Sequence, residues 1–183
     1  MTRGKPTTPA ARHAVAVSAE FKLDEADHFL QRAGSSHGSP REFRYEFDAA
    51  VEAVHSARDL TRIAIGRDQG MRTRFNASLR ASQAYESIES LRNKTHHEGD
   101  RAPLREEVRG RSPMLITSVH IDPIEPNRGT IVLDDKAPAG VVSRKWIIEF
   151  EGKNHDAVAT CREAVEVVRS LLSEFRGRSV KGR

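Results

Sequence analysis

The chain has 183 residues and a formal charge of +4, the balance of 30 basic and 26 acidic side chains, with a pI near 9.5. That length suits one domain able to bury a core without metals or disulfides. A single cysteine excludes an internal disulfide and a cysteine-based zinc site. No run approaches the roughly 20 apolar residues of a membrane helix, and the N-terminus holds no apolar stretch of signal-peptide length. A cytoplasmic protein without membrane attachment is therefore expected. The basic balance permits an acidic partner such as nucleic acid but does not demand one, because acids and bases are interleaved.

Residues 1–17 carry Thr, Pro, Ala and Arg without periodicity and are expected to form a disordered arm. Ser18 is the expected cap of a short helix that Gly34 ends, and GSSHGSP (34–40) has linker composition. Pro40 suits the first turn of a long helix. From Arg41 to about Ile65 the apolar positions Phe43, Phe47, Ala50, Val54, Ala57 and Ile63 recur mostly at three or four residues, one face of an amphipathic helix. A third helix is predicted from about Met71 to His96, with Phe75, Leu79, Ala84, Ile88 and Leu91 inward and Gly99 and Pro103 closing it.

The period then changes. MLITSVHID (114–122), TIVLDD (130–135) and RKWIIEFEG (144–152) are β-branched-rich runs separated by turn residues, which predicts a three-stranded antiparallel meander over about 113–152. Trp146, Ile148 and Phe150 share one face of the last run, which makes Trp146 core and not a base-stacking platform. Asp156 can cap a final helix from Ala157 to about Phe175, with Val158, Cys161, Val165, Val168, Leu171 and Leu172 as its buried stripe. Residues 177–183 read as a basic frayed tail. The fold class is mainly α within α+β: an antiparallel helical bundle in one domain (18–176), carrying a small antiparallel sheet before its last helix.

The run LRNKTHHEGD (91–100) lies where the third helix is expected to end. Cleaving an RNA phosphodiester without a metal needs a base for the 2′-hydroxyl proton, an acid for the leaving oxygen, and a cation for the charge building on phosphate. Histidine suits the first two near neutral pH, and the planar arginine fork suits the third. Arg92 with His97 or His96 supplies that chemistry in outline. The spacing alone carries little: seven of the 30 basic residues are lysine, leaving 23 arginines, and with 8 histidines about one R-x-x-x-x-H is expected by chance. Two occur, the other being Arg32…His37 in the Ser/Gly linker. Arg92 differs in context, as the only arginine followed by asparagine and at the end of an amphipathic helix. On an intact helix, residues five apart point about 140° away from each other and residues four apart differ by about 40°. His97 therefore converges with Arg92 only if the helix unwinds or two chains complete one site.

R-N-K-T-H-H resembles R-N-x-x-x-H, the signature of the HEPN domains, and EFRYEFDAAVEAVHSARDL resembles the long aromatic-and-alanine helix of such proteins. The resemblance covers about residues 20–100 and the last helix. It implies an antiparallel helical bundle and a homodimer. It also implies a metal-independent endoribonuclease whose arginine and histidine come from two subunits, in toxin–antitoxin or other defence systems with a cognate antitoxin or regulatory protein. Carried over, Arg92 binds and orients phosphate, His97 is the acid–base, Asn93 supports them, and His96 is an additional candidate. Asp48 and Glu52 on the preceding helix are within the range of partners for Arg92. The resemblance equally admits members without catalysis, so the alternative is a non-catalytic dimeric interaction or RNA-binding module. A third reading makes the strands a small-molecule sensor surface.

No cofactor is expected, because GRDQG lacks the lysine–serine ending of a phosphate-cradling loop. His96, His97, His120 and His155 with Glu98 show no metal-ligand spacing. Cys161 sits at core spacing and not in a nucleophile's setting.

Overall fold

The computed structural model describes residues 8–37, 39–94, 102–110, 130–133 and 142–181. Among these described residues, five helices and four strands follow in the order α1 (Pro9–Ser35), α2 (Pro40–Ile65), α3 (Gln69–Ala81), α4 (Gln83–Asn93), β1 (Leu104–Gly110), β2 (Thr130–Leu133), β3 (Val142–Phe150), β4 (Lys153–Asp156) and α5 (Ala157–Lys181). The protein is mostly helical, with a small, largely antiparallel sheet before the last helix, as the period change predicts.

α1 and α2 form a long helical hairpin. The buried positions of α1 are Ala16, Ala19, Leu23, Ala26, Leu30 and Ala33, and those of α2 include Phe43, Phe47, Ala50, Val54, Ala57, Thr61 and Ala64. Both sets repeat at alternating three- and four-residue steps, which keeps one seam facing the partner helix along its length. Alanine at most α1 positions lets the two backbones approach closely. Thr61 is accommodated within this seam because its hydroxyl donates to the Ala57 carbonyl at 2.8 Å. Ile63, expected inward, is exposed instead, and Thr61 and Ala64 hold the inner line.

The start of α1 departs from expectation. The helix begins at Pro9, so residues 9–17 of the expected arm are helical and Ala16 is buried. Thr8 is the cap, accepting from the Ala11 amide at 3.2 Å, while Pro9 occupies a first-turn position where its missing N–H costs nothing. Ser18 lies mid-helix and donates back to the Ala14 carbonyl. α5 likewise continues to Lys181, into the stretch read as a frayed tail. The helix predicted over 71–96 is two helices. Ser82 adopts an extended conformation between them, and its hydroxyl accepts from the Tyr85 amide at 3.1 Å, starting α4 afresh.

The sheet runs β2-β1-β3-β4, with β3 antiparallel to both neighbours and β2 parallel to β1. Two of the expected runs supply β2 and β3; residues 114–122 lie outside the described residues. β1 was not expected, because LREEVRG is charged and only weakly alternating. Its pairing with β3, from Leu104 opposite Ile148 to Gly110 opposite Val142, is a non-local property. β3 and β4 meet in a two-residue turn at Glu151 and Gly152, both with positive φ (51° and 70°). That conformation suits a tight hairpin, and for Glu151 it costs on the order of 1 kcal/mol.

The sheet seals one end of the helical core. Trp146 stacks on Phe43 at 4.6 Å between centroids, and Phe43 stacks on Phe47 at 5.5 Å. α5 lies across α1, α2 and α4 with Cys161, Ala164, Val165, Val168 and Leu172 buried. Asp156 caps it as predicted, accepting from the Ala159 amide at 3.0 Å. Among the described residues no helix is long and apolar enough to cross a membrane.

Candidate functional site

The Ser82 cap fixes where α4 begins, and α4 carries Arg92 in its last turn against the polar face of α2. Two ion pairs cross this interface: Arg92 donates to Glu52 (Nε to Oε1, 2.7 Å; Nη2 to Oε2, 3.5 Å), and Arg58 donates to Glu89 (Nη1 to Oε1, 2.7 Å). The later residue of α4 meets the earlier residue of α2, so the helices run in opposite senses. The charges alternate, acid then base on α2 and acid then base on α4. Sliding either helix would bring like charges together.

Glu52 grips one edge of the Arg92 fork. A guanidinium has five N–H donors in a fixed plane, and the pair to Glu52 orients that plane without using all of them. The Arg92 side chain retains about a fifth of its exposure (21%). It is therefore positioned and still in contact with solvent.

His55 stands between the two ion pairs. Its Nε2 lies 2.6 Å from Arg58 Nη2; arginine can only donate, so Nε2 accepts and the neutral ring carries its proton on Nδ1. Burial first, then the charges of Arg58 and Arg92, lower its pKa below the ordinary 6.5, against the weaker pull of Asp59 and Glu52. Tyr85 is buried beside Arg58, and desolvation raises its pKa further above an already neutral range. The cluster thus holds an arginine, a neutral imidazole and a carboxylate within one helix–helix contact.

Asn93 faces elsewhere, because consecutive helical residues diverge by about 100°. It lines a cleft of about 480 Å³ with Gln83, Glu86, Ser87, Glu89 and Ser90 of α4 and with Glu151, Lys153 and His155 at the β3–β4 hairpin. Arg92 and Asn93 therefore flank the end of α4 on two sides. His96 and His97, the expected acid–base residues, lie outside the described residues.

The chain matches no protein-family model, no curated protein and no solved structure. The geometry has to carry the functional reading.

The rival spacing is resolved by the fold. Arg32 pairs with Glu46 at 2.6 Å and His37 with Glu106 at 3.2 Å, so these two residues serve separate contacts at the α1–α2 junction. Of the two acids expected near Arg92, Glu52 makes the observed pair. His55 was missed. Its signal was the E-x-x-H-x-x-R run, whose three-residue steps put Glu52, His55 and Arg58 on one helical face. Among the described residues no grouping of three or more His, Cys, Asp or Glu could hold a metal ion. Cys161 is a core residue: burial, with Asp27 nearby, pushes its thiol up to about 12 and keeps it un-ionised.

Proposed function

We propose that the chain is a HEPN-like, metal-independent endoribonuclease, acting as a homodimer in which Arg92 and His97 of two chains complete one site. The observation that carries this reading is the Glu52–Arg92 pair, which holds a guanidinium fork in a fixed plane at the end of α4 while leaving it in contact with solvent. Preorganisation of this kind is what electrostatic stabilisation of a phosphate transition state requires. Asn93, the last residue of α4, and His96, three positions on in the sequence, complete the proposed set; RNA is the substrate class, and a cognate antitoxin or regulatory protein is the expected controlling partner. The interior of a cell is the setting such a substrate requires.

The test is cleavage of a mixed-sequence RNA by the purified full chain in excess chelator. Arg92→Ala and His97→Ala are expected to lower cleavage at least about a hundredfold, the range general acid–base groups supply, with the melting temperature lowered by no more than about 4 °C. An inactive wild-type chain, or full activity in both variants, removes the enzyme reading.

A second reading is favoured by the same pair. Two crosswise ion pairs between α2 and α4 are also what a clasp needs, and a non-catalytic interaction or RNA-binding module would use Arg92 in that way. It predicts RNA or partner binding without turnover and tolerance of His97→Ala.

A further inference from the structure

The cleft beside Asn93 is not used by the proposed cleavage chemistry. It is bounded by two carboxamides (Gln83, Asn93), two hydroxyls (Ser87, Ser90), three carboxylates (Glu86, Glu89, Glu151), Lys153 and His155, and at about 480 Å³ it falls within the range of sites that take a nucleoside-sized ligand. Glu89 is spent on Arg58. Among the described residues, Glu86, Glu151 and Lys153 form no ion pair and so are available to a ligand. Two uncommitted carboxylates make the cleft a poor home for a phosphate and a good one for N–H donors.

Position then decides which donors. Asn93 opens this cleft while its neighbour Arg92 faces α2 on the adjoining side of the same helix end. A strand whose phosphate lies at Arg92 would present its next base toward Asn93. We propose that the cleft is a nucleobase subsite for single-stranded RNA, selecting a base with an exocyclic amino group over uracil. Glu86 and Glu151 accept from the amino group, as glutamate accepts from cytosine N4, and Asn93 or Gln83 offers the paired donor and acceptor of a carboxamide. Lys153 supplies a cation for the backbone at the outer rim. This inference rests on the RNA reading above, but it concerns base choice and not cleavage.

The experiment uses the full chain carrying His97→Ala, so that RNA survives, and measures fluorescence anisotropy with oligo(C) and oligo(U) eight-mers. Oligo(C) is expected to bind about tenfold tighter, the discrimination one good carboxylate–amino contact provides. Glu86→Ala with Glu151→Ala removes both acceptors and should erase that preference while leaving oligo(U) bound at least as well, since negative charge is removed. Both positions lie on exposed surface, and circular dichroism checks the fold. Equal binding of the two oligonucleotides, a preference that survives the double substitution, or binding of spermidine in place of either RNA overturns the proposal. If wild-type chain cuts RNA but binds both oligonucleotides alike, the subsite falls and the nuclease reading stands. If the preference appears without any cleavage, the reverse holds.

Discussion

α2 has two faces that do different work. Toward the apolar core it presents Phe43, Phe47, Ala50, Val54, Ala57, Thr61 and Ala64, all buried. Toward α4 it presents Glu52, His55 and Arg58, which exchange ion pairs and hydrogen bonds with Glu89, Arg92 and one another. The first face is held by shape and by apolar area removed from water, which is non-directional but sensitive to lost volume. The second is held by direction and charge, which contribute little to stability when partly exposed but fix where each group points. One helix therefore supplies both a rigid platform and an oriented set of chemical groups.

The largest way to break the comparison is Phe43→Ala. It removes the ring between Phe47 and Trp146 and should cost about 3–5 kcal/mol, as aromatic truncations in cores do. The single tryptophan reports it directly, through a lower urea midpoint and a red-shifted native emission. On the other face, Glu52→Gln should cost no more than about 1 kcal/mol, because the Arg92–Glu52 pair is partly solvent-exposed. Its effect on RNA cleavage should be larger than its effect on stability, since Arg92 loses its orientation. A reversed ordering would make Glu52 a purely structural residue.

The smallest effect is the pH dependence set by His55. Its folded pKa lies below the ordinary 6.5, so between those values the unfolded chain binds a proton that the folded chain does not. Stability contributed by this group is complete above about 6.5, declines as pH falls through that range, and levels off once pH is below the lowered folded value. Glu52 and Asp59 on α2 oppose the shift, while Arg58 on α2 and Arg92 on α4 reinforce it. His55→Gln should flatten the fall of the urea midpoint below pH 6.5 relative to wild type. An unchanged slope would show that His55 is not held neutral.

These two faces also separate what was legible in the amino-acid order from what was not. The apolar steps of α2, the inward Phe75, Leu79, Ile88 and Leu91, the Asp156 cap and the buried Trp146 all follow from local periodicity. Starting α1 at Ser18 failed because serine caps are common, and the Thr8–Pro9 pair that does the capping lies in an unpatterned stretch. β1 was illegible because its charged sequence becomes a strand only when β3 lies beside it. At the site, the motif singled out Arg92, and Glu52 was named only beside Asp48 as an acid within reach; that Glu52 makes the pair is visible only once α4 lies against α2. His55 was passed over because the E-x-x-H-x-x-R run marks a shared helical face but gives no sign of Arg92, which reaches that face only from α4. Asn93 was named with Arg92, yet the helix turns the two toward different surroundings.

The central claim is that Arg92 and His97 act as half-sites on two chains. Mixing equal amounts of Arg92→Ala and His97→Ala chains, after joint unfolding and refolding, tests it most directly. Each mixed dimer then holds one complete site, so chelator-resistant RNA cleavage should return to about a quarter of the wild-type rate while each variant alone stays inactive. That figure assumes random pairing of equal chains, with half the dimers mixed and one of two sites intact in each, and activity additive over separate sites. Absence of recovery, with mixed dimers demonstrated in the sample and an active wild-type control, would contradict a site shared across two chains.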